Sequence, residues 1–411
     1  MTTKANLSRN PDIMTSSRFA LRTTSAVDNP EWWRSANIYQ IYPASFLDTN
    51  ADGLGDLPGI ISKIPYLHAL NIDALWLSPI YASPQMDMGY DISDYYSIYP
   101  PYGTVEDVEI LIKGLHGRGM KLIMDLVVNH TSDQHEWFRE SRESLDSEKR
   151  GWYIWRKGKI RSYIDPSDGE TKSVQEPPNN WRSVFGGSAW TLDPATNEYY
   201  LHLFCSEQPD LNWDYTPVRQ TIYTMMRWWL DKGVDGFRMD VINVISKHPN
   251  LPDAPITAPG EKYQSGAEYY ACGPRLHEFL QEMHDQTMSR YEGVAIGEMP
   301  WVDDENEVLK CVKRGRNELD MIFQFEMLVT CHCETQNLHT MMTMHLIPGI
   351  QCGYRYPGIV TYEVCSPSLA PCKAQDHRES MANIYARKRW LECRLSGESR
   401  PTPVHFSIRH L

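Results

Sequence analysis

Gly236-Phe237-Arg238-Met239-Asp240 reads as a buried strand ending in an acid, and the run from Val294 to Gly297, closed by Glu298, reads as a second. If the two runs are neighbouring parallel strands, both carboxylates sit at strand carboxyl ends, with backbones about 4.8 Å apart. That spacing suits a pair of carboxyls about 5–5.5 Å apart, the separation used to cleave a glycosidic bond with retention. Arg238 and Asp240 lie two residues apart on one strand and share a face, so the guanidinium is expected to keep Asp240 ionised. Glu298 has no cation near it in sequence, and burial is expected to raise its pKa, as suits an acid.

Outward from these strands, apolar runs alternate with helix-like segments, the pattern of parallel strands joined by helices. Strands are expected at 38–42, 74–77, 122–128, 236–240, 294–297 and 321–325, and helices at 58–69, 105–115, 216–232, 276–288 and 305–312. Val105, Val108, Ile112 and Leu115 share one helical face, and Thr104 with Asp107 predicts a capping box. Thr216-Pro217 reads as an N-cap followed by proline at the first helical position. The Trp-, Gly- and Pro-rich stretch 131–202 breaks the rhythm and reads as an inserted subdomain. Six strand-helix steps precede residue 327, whereas a closed barrel of this kind uses eight.

The net charge of −13, from 53 acidic and 40 basic residues, excludes a nucleic-acid partner, which clustered Lys and Arg would have to bind. Thirteen Trp and 23 Tyr suit sugar-ring faces, although most such residues fill cores. No apolar run approaches the ~20 residues that cross a bilayer, and the polar start lacks a signal peptide's apolar stretch. The expected setting is the cytoplasm, with no membrane partner, residues 1–30 forming a polar tail and the protein a monomer. Cys331-His332-Cys333 and Cys365 do not show structural zinc spacing, so the nine cysteines are expected to be free thiols.

Five segments carry a resemblance: Gly53-Leu-Gly-Asp-Leu-Pro-Gly59, Asp125-Leu-Val-Val-Asn-His130, Gln208-Pro-Asp-Leu-Asn-Trp213, Gly236 to Asn243, and Gly297-Glu-Met-Pro300. In this order they resemble the alpha-amylase superfamily, glycoside hydrolase family 13, and within it the cytosolic alpha-glucosidases and oligo-1,6-glucosidases. The resemblance implies Asp240 as nucleophile, Glu298 as acid and base, and Arg238 as the residue that orients Asp240. It implies that His130, with Asp87 and Tyr90 of Met86-Asp-Met-Gly-Tyr90, holds the non-reducing glucose of a small oligosaccharide. Taken singly, His130 reads as a packed or capping histidine, and Arg238 with Asp240 as a structural ion pair.

Asp48-Thr-Asn50-Ala-Asp52-Gly-Leu54-Gly-Asp56 sets oxygen ligands at alternating positions around a glycine, which suits a hard cation. Gly59, at the twelfth position, cannot ligate, so this is not an EF-hand, and a polar turn is an equal reading of the residues. Related alpha-glucosidases imply a structural Ca2+ or Mg2+ here, held by Asp48, Asn50, Asp52, Asp56 and the Leu54 carbonyl. Val241, after Asp240, is similar to isomaltase-like members. This implies hydrolysis of terminal alpha-linked glucose with 1,6 favoured over 1,4. Relatives that isomerise sucrose or trehalose are the alternative, with a catalytically impaired family member as a further one.

The family's Asn-His-Asp segment, followed shortly by Arg, has no counterpart. Asp376-His377-Arg378 lacks the preceding Asn and an apolar strand, and is read as surface. The expected architecture is therefore a TIM (β/α)8-type barrel formed by 31–130 and 203–327, with a subdomain inserted after strand three and the barrel truncated after strand six. Residues 328–411 are expected to be foreign to it, from an altered frame, a retained intron or a truncation.

Overall fold

The computed structural model describes residues 31–302 and 304–323 and the backbone of 359–360. The expectations for the tail 1–30, for Asp376-His377-Arg378 and for most of 328–411 lie outside the described residues. The six apolar runs form strands β1 (Ile38–Ile41), β2 (Ala74–Leu77), β3 (Lys121–Leu126), β4 (Gly236–Met239), β5 (Val294–Glu298) and β6 (Met321–Phe323). They pair in chain order and all in parallel, and a two-residue strand, β7 (Ile359–Val360), lies parallel beside β6.

Helices cross between successive strands: α1 (Val105–His116), α2 (Thr216–Asp231), α3 (Leu276–Gln286) and α4 (Glu305–Val312). The Thr104–Asp107 capping box forms at the start of α1. Two local expectations change. Residues 58–69 make two short helices, Leu57–Ser62 and Ile64–Ala69, with Pro65 in the first turn of the second; proline has no N–H for a continuous helix. Tyr215, not Thr216, is the N-cap of α2, and it gives no side-chain cap; the Thr216 hydroxyl instead accepts from Arg219.

Because side chains alternate across a strand, each run feeds two cores. Tyr39, Leu75, Leu122, Phe237, Ala295 and Ile322 face the helices in the main core. Ile38, Ala74, Ile123, Val294, Ile296 and Phe323 form a second cluster on the other face of the sheet. Two residues beyond Ile123 and Ile296 on that second face come Asp125 and Glu298, with Arg238 on β4 and Asp240 just past its end between them. The polar chemistry is thus a layer above an apolar one. Gly236 makes the β4–β5 contact possible: its φ is +155°, and a Cβ there would meet the Val294 carbonyl oxygen at 2.2 Å.

Between β3 and α2 lie a helix (Glu136–Glu143), a three-stranded antiparallel sheet (Trp155–Arg156, Glu198–Leu201, Trp190–Asp193) and an exposed hairpin, Lys159–Ile164 with Thr171–Glu176. Trp152, Trp155, Trp181 and Trp190 are all buried there, so packing accounts for them. No described helix is long and apolar enough to cross a membrane.

Candidate active site

The register Met239↔Gly297 between β4 and β5 puts Asp240 next to Glu298 at the strand ends, as expected. On the other side, Arg238 lies opposite Asp125 of β3. One guanidinium therefore serves three acids. Its Nη1 donates to Asp125 Oδ1 and Asp240 Oδ1, both at 2.8 Å, and its Nη2 to Glu298 Oε2 at 2.5 Å. The guanidinium carbon lies 5.2 Å from the Trp76 ring centroid and 5.8 Å from that of Tyr90, so aromatic faces shield it.

This geometry corrects the charge assignment made from sequence neighbours. Glu298 does meet a cation, Arg238, and accepts a second bond from the Val241 amide at 3.1 Å. Val241 holds that amide in place from a left-handed conformation, φ 37° and ψ 42°, a strained position for a β-branched residue. Asp240 is not simply kept ionised by Arg238. Burial pushes its pKa well up, Arg238 opposes this, and Glu298 and Asp125 reinforce it, Glu298 through a hydrogen bond with the Asp240 carboxyl. Burial likewise pushes Asp125 up to about 6 against the pull of Arg238. One guanidinium is shared among three buried carboxyls, and Asp125 and Asp240 stay above the ordinary carboxylate range.

The remaining candidates join the same network. Asp125 Oδ2 accepts from Trp76 Nε1 at 3.1 Å and from the Tyr90 hydroxyl at 3.3 Å. His130 Nε2 lies 3.2 Å from the Tyr90 carbonyl oxygen and 3.2 Å from Gln208 Nε2, which also donates to Asp87 Oδ2 at 3.0 Å. Burial lowers the His130 pKa to about 4, so the ring is neutral at pH 7. Phe204 packs on it with ring centroids 5.2 Å apart. A continuous path thus runs from Asp87 through Gln208, His130, Tyr90 and Asp125 to Arg238.

Asp125 and Gln208 were quoted in motifs but not named as site residues, and the signal for each was present. Asp125 is an acid inside an apolar strand, and Gln208 opens the segment that contains Asp210. Lys247 was missed altogether. Its ammonium is buried, donates to Asn129 Oδ1 at 2.7 Å and lies 2.8 Å from Asp210 Oδ2. It ties the end of β3 to the segment that closes the insertion. Burial lowers its pKa, and Asp210 opposes this.

The loop 48–56 is a separate structure. Asp48 accepts from the amides of Asn50, Ala51 and Gly53, Asp52 from Leu54, and Asp56 from Thr49 and, as the cap of the next helix, Gly59. The bond from Gly53 does most to lower the Asp48 pKa. The donor set is all oxygen, as a hard cation requires.

Comparison with known proteins agrees with this geometry. Over 297 residues the chain is 54% identical to an alpha-glucosidase of Schizosaccharomyces pombe, covering 72% of this chain and 50% of that one. An oligo-1,6-glucosidase of Parageobacillus thermoglucosidasius is 54% identical over 295 residues, with the same coverage of 72% and 50%. The crystal structure of the isomaltulose synthase of Protaminobacter rubrum superposes with a TM-score of 0.66 at 45% identity, over 73% of this chain and 50% of that one. The chain spans about half the length of the curated relatives it matches. The alpha-amylase catalytic-domain model matches residues 40–350, a span that holds every strand carrying the acid cluster, and the chain belongs to that family.

Proposed function

We propose that the chain is a retaining alpha-glucosidase that releases terminal alpha-linked glucose from short oligosaccharides, with 1,6 linkages favoured over 1,4. The observation that carries this reading is the pairing of Asp240 and Glu298 at adjacent strand ends on one shared guanidinium. Asp240 would attack the anomeric carbon while Glu298 protonates the departing glycosidic oxygen. Glu298, now a carboxylate, would then take a proton from the water that hydrolyses the glycosyl ester. The starting state this requires is an ionised Asp240 beside a Glu298 that carries the proton to be given.

Asp87, Tyr90 and His130 would hold the terminal glucose, with neutral His130 able to donate one ring N–H. Asp48, Asn50, Asp52, Leu54 and Asp56 would hold Ca2+ or Mg2+, which would brace the loop ahead of the helix Leu57–Ser62; thermal stability with and without added Ca2+ tests this. The preference for 1,6 linkages rests on Val241 alone.

A second reading is favoured by the likeness to the isomaltulose synthase: the same glycosyl ester passed to a sugar rather than to water. Incubation of the purified chain with isomaltose, maltose and sucrose, followed by chromatography of the products, separates the readings. Glucose from isomaltose supports hydrolysis, and a sucrose isomer without isomaltose cleavage selects the second reading. No turnover of any of the three overturns both and leaves a catalytically impaired member of the family.

A further inference from the structure

On the helical side of the sheet, apart from the acid cluster, three different metal-binding side chains converge. His277 of α3, Cys311 of α4 and Glu318, three residues before β6, bring one ligand atom each within 4.8 Å of one another. We propose that this trio is a zinc site, with His277 Nδ1, Cys311 Sγ and Glu318 Oε2 as ligands and a fourth position open to solvent. A nitrogen, a sulfur and an oxygen donor together suit Zn2+ better than a hard cation such as Ca2+.

The surroundings are those of a metal-binding histidine. His277 Nδ1 lies 2.7 Å from Glu318 Oε2, while Nε2 lies 3.0 Å from Glu307. Such a histidine commonly donates its second ring N–H to a carboxylate, which fixes the tautomer and turns the free lone pair toward the metal. Glu307 stands in that place. The other Glu318 oxygen is held by Gln281 at 3.0 Å and by Arg316 Nη2 at 2.5 Å, which orients the carboxylate and leaves Oε2 as the ligand.

Access and spacing are suitable too. Cys311 is buried and the Glu318 side chain fully so, but the His277 side chain is 26% exposed and offers the way in. Tetrahedral ligands on arms of 2.0–2.3 Å stand about 3.4 Å apart, so entry of the ion opens the His277–Glu318 contact by under about 1 Å. Binding releases the thiol proton of Cys311, which burial otherwise holds in place, and the proton that Nδ1 shares with Glu318. The site joins α3, α4 and the approach to β6, and Leu319 packs beside Gly297 of β5. Its role is to fasten that corner, so it is independent of the activity proposed above.

The test is titration of the full chain, freed of metal by chelator, with Co2+ followed by Zn2+. The expected result is one equivalent of Co2+ with a thiolate-to-cobalt charge-transfer absorption, displaced by Zn2+, and a zinc-dependent rise in Tm. Cys311→Ser should abolish the band, and His277→Gln should weaken the affinity at least about tenfold. Cys331→Ser/Cys333→Ser should keep both. A wild-type chain without the band overturns the site, as does a band that survives Cys311→Ser or vanishes with the Cys331/Cys333 variant. If Cys311→Ser does not fold, His277→Gln decides: unchanged affinity and an unchanged zinc-dependent Tm rise reject the proposal.

Discussion

Replacing Asp125 by Asn should change how stability depends on pH, with a sign opposite to ordinary acid denaturation. Asp125 is fully buried, and its carboxyl sits at about 6 in the folded chain against 3.8 for an ordinary aspartate. A folded-state pKa above the unfolded one means that the folded chain binds the proton more tightly. The resulting stabilisation is complete below pH ~4 and is lost as pH rises through about 6. Integrated over that window, the gap from 3.8 to about 6 amounts to about 3 kcal/mol. Asn keeps the shape and an oxygen for Trp76 and Tyr90 but does not titrate there. Urea midpoints at pH 4.5, 6 and 7.5 should therefore fall with pH more steeply in the parent than in Asp125→Asn, by about 2 kcal/mol across the range. Asp240 is shifted the same way and remains in both proteins, but Asp125 contributes to that shift, so the difference reports Asp125 together with its coupling to Asp240. Parallel pH profiles, differing by less than about 1 kcal/mol, would refute the claim that this carboxyl is held protonated by burial despite its bond to Arg238.

Lys247→Met should cost about 3–5 kcal/mol at pH 7, because it strands buried Asp210, and Lys247→Met/Asp210→Asn should recover much of that loss in urea unfolding. Gly236→Ala should destabilise by about 1–3 kcal/mol or prevent folding, since its Cβ would stand 2.2 Å from the Val294 carbonyl oxygen; an unchanged urea midpoint contradicts the close approach. Thr104→Ala removes the cap of α1 and should lower stability by about 1 kcal/mol, read by circular dichroism during thermal melting.

Strand and helix positions were legible because their signals are local. Apolar runs preceded by glycine announce β3, β4 and β5, and the Thr104–Asp107 pair announces α1 to within a residue. The changes came where a local signal had two outcomes. Pro65 can open a helix as well as interrupt one, and it opens the second of two. Thr216 looks like a cap, but capping depends on the backbone angles of the residue before the helix, and Tyr215 takes that position.

The site was legible as a set of residues but not as a charge distribution. A residue in a parallel sheet has near neighbours along its own strand and across both ladders. Only the first kind can be read from sequence spacing. From Arg238 the visible neighbour is Asp240; the register adds Asp125 on one side and Glu298 on the other. One arginine beside one aspartate favours an ionised carboxylate, whereas one arginine shared among three buried carboxyls leaves Asp125 and Asp240 above the ordinary carboxylate range. If Asp240 and Glu298 act as proposed, their roles are not set by separate environments, because both bond to the same guanidinium. What separates them is where a bound sugar places its anomeric carbon and its glycosidic oxygen.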